Sequence, residues 1–247
     1  MTKPDRIKLR HIVPSMVTVF AICAGLTSVR MTLEGRVEMA LYFILLAVFL
    51  DAADGKLARF LDTASPFGAE LDTLADFFNF GIVPGLLLYQ TLYFDTNYAN
   101  LGWLATLVLA VCCALRLARF NLSIGDTKVA LKKDDFFVGV PAPALACLAL
   151  MPVFMHLSGW HEADYVFLRT IYIIGVGLLA VSTIPTFSIK HASIKQNQLA
   201  VAIIVAVVLV VCLMVYPWPT LIVGNLMYLA SLPLSYLSHR KLRASDR

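Results

Sequence analysis

The chain has 247 residues, of which 60% are hydrophobic and only 15% charged, and its formal net charge is +4. A mean hydropathy of +0.79 excludes a soluble one- or two-domain protein and describes a polytopic membrane protein with little mass outside the bilayer. The basic residues are scattered at the ends of apolar runs, which excludes a nucleic-acid groove.

A helix needs about 20 predominantly apolar residues to cross a bilayer. Runs at 12–31, 38–58, 70–92, 101–120, 137–157, 166–187, 198–216 and 218–237 therefore predict eight transmembrane helices. The expected architecture is an all-α polytopic bundle in a single membrane domain. Its catalytic core would run from about 12 to 187, followed by a C-terminal helix pair at about 198–237. The basic start, Lys3 to Arg10, leads into the first run without a cleavage site, so no cleaved signal peptide is expected. Gly81, Pro84 and Gly85 interrupt the third span, and Gly139, Pro141 and Pro143 the fifth. The last two spans carry no charge and read as anchors. The five cysteines (Cys23, Cys112, Cys113, Cys147 and Cys212) lie inside apolar runs, where they pack as small hydrophobes.

Orientation follows from the distribution of Lys and Arg. Only Arg30, Arg36 and Arg169 fall on one side of this topology; the remainder of the 20 basic residues fall on the other. Both termini are expected in the cytoplasm, together with the ends of the second and third helices. Those ends carry the chemistry.

The stretch Asp51–Asp76 reads D-A-A-D-G-K-L-A-R-F-L-D-T-A-S-P-F-G-A-E-L-D-T-L-A-D. At about 100° per residue, Asp51 and Asp54 lie roughly 60° apart on one helix, and Asp72 and Asp76 roughly 40° apart on the next. Two carboxylates 4 Å apart repel by about 4 kcal/mol at an effective dielectric near 20. Four acids at the edge of a membrane therefore require cations, and an all-oxygen donor set suits a hard metal such as Mg²⁺ or Mn²⁺. Asp62 stands apart from this spacing and reads as a helix cap or an interfacial group. Gly55 and Gly68 beside the acids let a nucleotide approach the backbone, and the Arg59 guanidinium suits a phosphate oxygen. A cation transporter is the rival reading. Transporter sites lie near the midplane between repeats, whereas these acids lie at one edge and no inverted repeat is evident.

The pattern D-x-x-D-G-x-x-A-R-x8-G-x3-D-x3-D resembles the signature of the CDP-alcohol phosphotransferases, with every fixed position filled. The resemblance implies an integral membrane fold, a homodimer, two divalent metals, and displacement of CMP from a CDP-linked lipid by an alcohol. It implies that Asp51 and Asp72 contact both metals, Asp54 the first and Asp76 the second, with Asp76 also the general base. Gly55, Arg59, Ser65 and Gly68 match positions around the CDP moiety. Thr18 matches a liponucleotide contact on the first helix, where Ser15 stands in place of the family's Asn.

F-G-A-E-L-D-T-L-A-D-F-F-N-F-G (67–81), C-C-A-L-R-L-A-R-F-N (112–121), F-V-G-V-P-A-P-A (137–144) and I-P-T-F-S (184–188) resemble the bacterial phosphatidylserine synthases of this family, of the alphaproteobacterial type. The implied substrates are CDP-diacylglycerol and L-serine, with glycerol 3-phosphate or inositol as alternative acceptors. Serine brings a carboxylate, and Arg116 and Arg119, about 60° apart on the fourth helix, can grip it together with Asn121. Lys132 and Lys133 are expected at anionic headgroups. His11, His156, His161, His191 and His239 are expected to be bystanders.

Overall fold

The computed structural model describes residues 12–61, 63, 65–125, 136–160, 165–182, 185–187 and 199–245. His11, Asp62, Lys132, Lys133, His161 and His191 lie outside these residues, as does the side chain of His239. The chain divides into two compact units, Met1–Leu117 and Ala118–Arg247.

The first unit is built from helices α1 (Ile12–Leu33), α2 (Val37–Phe60), α3 (Pro66–Asp76), α4 (Val83–Leu92) and the first part of α5 (Ala99–Gly125). Helices α1 and α2 form a tight hairpin. Gly35 adopts φ 73°, the left-handed conformation that ends a helix, and Arg36 N–H reaches back to the Met31 carbonyl at 2.9 Å. Small buried residues (Ala21, Ala24, Ala40, Ala47) let the two helices approach closely. Ser28 Oγ then donates to the Ala40 carbonyl at 2.8 Å.

Helices α3 and α4 are joined without a break by a π-helical segment, Phe77–Ile82, so Pro66–Leu92 is one rod. The sequence predicted an interruption here, and the widened turn is its form. Pro84 has no N–H and its ring crowds the preceding turn. The ladder adapts by running Val83 N–H to the Phe78 carbonyl, five residues back. Gly81 and Gly85, four residues apart, lie against Cys113 and Thr106 of α5. Thr106 Oγ1 donates to the Gly85 carbonyl at 3.0 Å.

The second unit holds α6 (Ala142–Ala149), α7 (Met151–Leu157), α8 (Val166–Val181), α9 (Leu199–Val215), α10 (Pro217–Ser245) and a two-stranded antiparallel ribbon. The ribbon pairs β1 (Phe136–Val138) with β2 (Pro185–Phe187), in the register Phe136 to Phe187 and Val138 to Pro185. Apart from this pairing of three residues a side, the regular structure among the described residues is helical, as the expected all-α fold requires. The predicted helical spans at 137–157 and 166–187 each give one end to this ribbon, because Gly139 (φ 82°) and Pro141 turn the chain before α6 and α8 stops at Val181. The 137–157 run is divided again, into α6 and α7, with Pro152 in the first turn of the second piece. Buried Leu145, Leu148, Phe154, Ile173 and Trp218 form the apolar interior of this unit. Asn225 Nδ2 donates to the Cys147 carbonyl at 2.8 Å.

Among the described residues, three stretches are long and apolar enough to cross a membrane: Ile12–Leu33, Pro66–Leu92 and Ala99–Leu122. Their outward residues include Phe20, Leu26, Leu104 and Leu107, as a hydrocarbon solvent requires. The chain is a helical membrane protein.

Candidate active site

The site is assembled by the short link between α2 and α3. Helix α2 ends with Leu61 N–H on the Leu57 carbonyl (2.9 Å) and Thr63 N–H on the Ala58 carbonyl (3.1 Å). Ser65 then caps α3: its Oγ accepts from Gly68 N–H at 3.0 Å, and Pro66 opens the helix. A Cβ at Gly68 would come within 3.1 Å of that hydroxyl, so glycine leaves room for the cap. This turn brings the last part of α2, with Asp51 and Asp54, alongside α3, with Asp72 and Asp76.

Three of the four predicted acids converge. One carboxylate oxygen from each of Asp51, Asp54 and Asp72 lies within 4.8 Å of the others. The Asp76 side chain lies beside that of Asp51, and its Oδ1 is buried without a hydrogen-bond partner among the described residues. Carboxyl groups this close need a cation or a proton between them. The oxygen-only donor set, with one buried oxygen still unmatched, fits a hard divalent cation.

Thr18 holds one of these donors. Its hydroxyl donates to Asp54 Oδ2 at 2.6 Å, a charge-assisted length, and both residues are only 4% exposed. Thr18 Oγ1 also lies 3.2 Å from the Pro14 carbonyl. The residue expected to touch the liponucleotide thus also supports a carboxylate of the candidate metal cluster, as the partners behind metal ligands do.

Beside the acids is a cleft of about 150 Å³ lined by Pro14, Ser15, Thr18, Asp54, Gly55, Ala58, Thr63, Ser65, Gly68, Ala69 and Asp72. Of the residues predicted to surround CDP, it brings together Thr18, Gly55, Ser65 and Gly68. Arg59 is not among its walls: the side chain is exposed, and Nε turns back to the Gly55 carbonyl of its own helix at 2.9 Å. A Cβ on Gly55 would meet nothing within 4 Å, so the backbone there is open to approach.

The three residues expected around serine separate. Arg116 is half-buried and its charge acts on Asp76. Arg119 has a different occupation: Nη1 donates to the Val181 carbonyl at 2.6 Å and Nη2 to the Ser182 carbonyl at 3.1 Å. It caps the end of α8, where a cation also complements the helix dipole. Gly139 packs against the same knot, a Cβ there meeting Ser182 O at 3.0 Å and Arg119 Nη2 at 3.1 Å. Asn121 is exposed on α5.

Two polar residues escaped the sequence reading. Thr63 is 3% exposed and Asn79 1%; neither Thr63 Oγ1 nor Asn79 Oδ1 has a hydrogen-bond partner among the described residues. Thr63 lines the cleft, and its hydroxyl in a link between two acidic helices was the available signal. Asn79 lies in the π segment against Gly25 of α1, a pairing that no local pattern announces.

A carboxylate cluster beside a cleft of hydroxyls and glycines, carried by long apolar helices, defines a membrane protein with a candidate metal-dependent site. The CDP-alcohol phosphatidyltransferase family model matches residues 11–181, and a second model, CDP-alcohol phosphatidyltransferase 2, matches residues 199–233. The chain belongs to the CDP-alcohol phosphatidyltransferase family. It is 35% identical over 237 residues to a protein of Mycobacterium leprae (strain TN) named CDP-diacylglycerol–serine O-phosphatidyltransferase, across 95% of this chain and 77% of the relative. A Mycobacterium tuberculosis (strain ATCC 25618 / H37Rv) protein of the same name is 36% identical over 94% of this chain and 80% of its own length. One from Helicobacter pylori (strain ATCC 700392 / 26695) is 30% identical over 72% and 73%.

Proposed function

We propose that this chain is a CDP-diacylglycerol–serine O-phosphatidyltransferase, which moves the phosphatidyl group from CDP-diacylglycerol to the hydroxyl of L-serine and releases CMP. The observation that carries the reading is the convergence of Asp51, Asp54 and Asp72 beside the cleft of α1, α2 and α3. The relatives bearing this name, matched over nearly the whole chain, support serine as the acceptor.

Two divalent cations, Mg²⁺ or Mn²⁺, would be held by Asp51, Asp54, Asp72 and Asp76. Such ions polarise the pyrophosphate and neutralise charge on departing CMP. The residues of the chain do the rest. The Thr18 hydroxyl fixes the Asp54 carboxylate. Asp76, with Oδ1 uncommitted among the described residues, takes the proton of the serine hydroxyl as general base. The serine oxygen bonds to the phosphorus that carries diacylglycerol, and the bond to CMP breaks with its electron pair leaving on CMP. Arg116, beside Asp76, is the cation for the serine carboxylate, with Asn121 as a further donor. Arg119 acts at one remove, by holding the end of α8.

The finer membrane arrangement follows the same reading: eight crossings, both termini and the acidic site in the cytoplasm, residence in the bacterial inner membrane, and a homodimer. The positive-inside bias of the sequence supports the orientation.

The test is CMP release by purified protein in nanodiscs given CDP-diacylglycerol and Mn²⁺ or Mg²⁺. Release should require L-serine. Release that ignores serine and follows glycerol 3-phosphate or inositol overturns the acceptor; metal-dependent ion flux without CMP overturns the enzyme.

A further inference from the structure

The walls of the cleft differ in chemistry. Asp54 and Asp72 belong to the acidic cluster, whereas Pro14, Ala58 and Ala69 are apolar and Ser15, Thr63 and Ser65 bear hydroxyls. Neither lysine nor arginine lines it among the described residues. A phosphate would find no side-chain cation along the apolar and hydroxyl-bearing wall. A flat, uncharged heterocycle with a polar edge suits it: the ring faces the apolar side chains and its edge meets hydroxyls.

Thr63 is the hydroxyl whose present state points to a ligand. It is 3% exposed, its Oγ1 has no partner among the described residues, and its backbone is pinned by the N–H bond to the Ala58 carbonyl. A buried hydroxyl without a partner is a standing cost to the fold. Ser65 differs, because its oxygen already accepts from Gly68 N–H. We propose that Thr63 Oγ1 hydrogen-bonds the polar edge of the cytosine base of the liponucleotide, making Thr63 a determinant of nucleotide affinity. The base edge offers an exocyclic amine donor and ring acceptors, and a hydroxyl can serve either. The assignment rests on the reading of the chain as a CDP-dependent phosphatidyltransferase.

The experiment compares wild type, Thr63→Val and Thr63→Ser in nanodiscs with Mn²⁺. Binding of CDP, CMP and inorganic pyrophosphate is measured by calorimetry, and Tm is measured without nucleotide. Thr63→Val should bind CDP and CMP about five- to tenfold more weakly, as loss of one neutral hydrogen bond predicts, and pyrophosphate as wild type does. Its ligand-free Tm should equal or exceed the wild-type value, because the isosteric change removes an unmatched buried hydroxyl. Thr63→Ser should bind CDP like wild type. Undiminished CDP binding by Thr63→Val overturns the proposal, as does a matching loss of pyrophosphate affinity. So does a Thr63→Val protein that folds poorly, since that would make the hydroxyl structural. Wild-type protein that binds none of the probes instead overturns the parent reading.

Discussion

The hydrogen bond from Thr18 to Asp54 offers a quantitative handle on the metal site. Thr18→Val preserves the shape of the side chain and deletes its hydroxyl, leaving Asp54 Oδ2 without the donor now 2.6 Å away. A hydrogen bond to a charged group contributes about 1.5–3 kcal/mol, and at 4% exposure water cannot replace the lost donor. That loss corresponds to roughly 10- to 150-fold in an equilibrium constant, which overlaps the 10- to 100-fold range for removing a support behind a metal ligand. The mutant should need more Mn²⁺ for half-maximal CMP release, by about tenfold or more. Direct Mn²⁺ titration followed by electron paramagnetic resonance should show the same shift without reference to turnover. Thr18→Ser, which retains the donor, should behave as wild type. If Thr18→Val binds Mn²⁺ with wild-type affinity, the hydroxyl does not orient a ligand and the reasoning fails.

Asp76→Asn should abolish serine-dependent CMP release while leaving substantial CDP-diacylglycerol binding, because the base is lost and three clustered carboxylates remain; near-normal turnover would refute its role. The two arginines of α5 should separate kinetically. Arg116→Gln should raise KM for serine with little change in Tm, whereas Arg119→Gln should lower Tm through loss of its grip on the Val181 and Ser182 carbonyls. Equal effects of the two substitutions on both readouts would contradict the assignment.

The acidic cluster was legible in the sequence because it is local. Asp51 with Asp54, and Asp72 with Asp76, obey the angular step of one helix, and charge cannot be scattered casually in an apolar chain. Thr18 and Asp54 are 36 residues apart, and no periodicity links them. Arg119 shows the same limit more sharply. Its place in C-C-A-L-R-L-A-R-F-N suggested a substrate contact, yet its terminal nitrogens hold carbonyls 62 and 63 residues away. The ends of the apolar runs at 137–157 and 166–187 read as helix because hydropathy reports how oily a segment is, not whether its backbone pairs with itself. Pro141, Pro143, Pro152 and the left-handed Gly139 decide that, by ending one ladder and allowing another.

The π segment Phe77–Ile82 has a bearing on how this rod tolerates change. A π turn amounts to an α-helix carrying one surplus residue. Removing one residue there returns the rod to regular winding with little turn of one half against the other, because the wide turn already absorbs that residue. Asp72 and Asp76 precede the surplus residue; Gly85, clasped by Thr106, follows it. Loss of one residue at this joint therefore leaves the acids their aim and α4 its seat, whereas the same loss elsewhere in the rod turns one half against the other by about 100°.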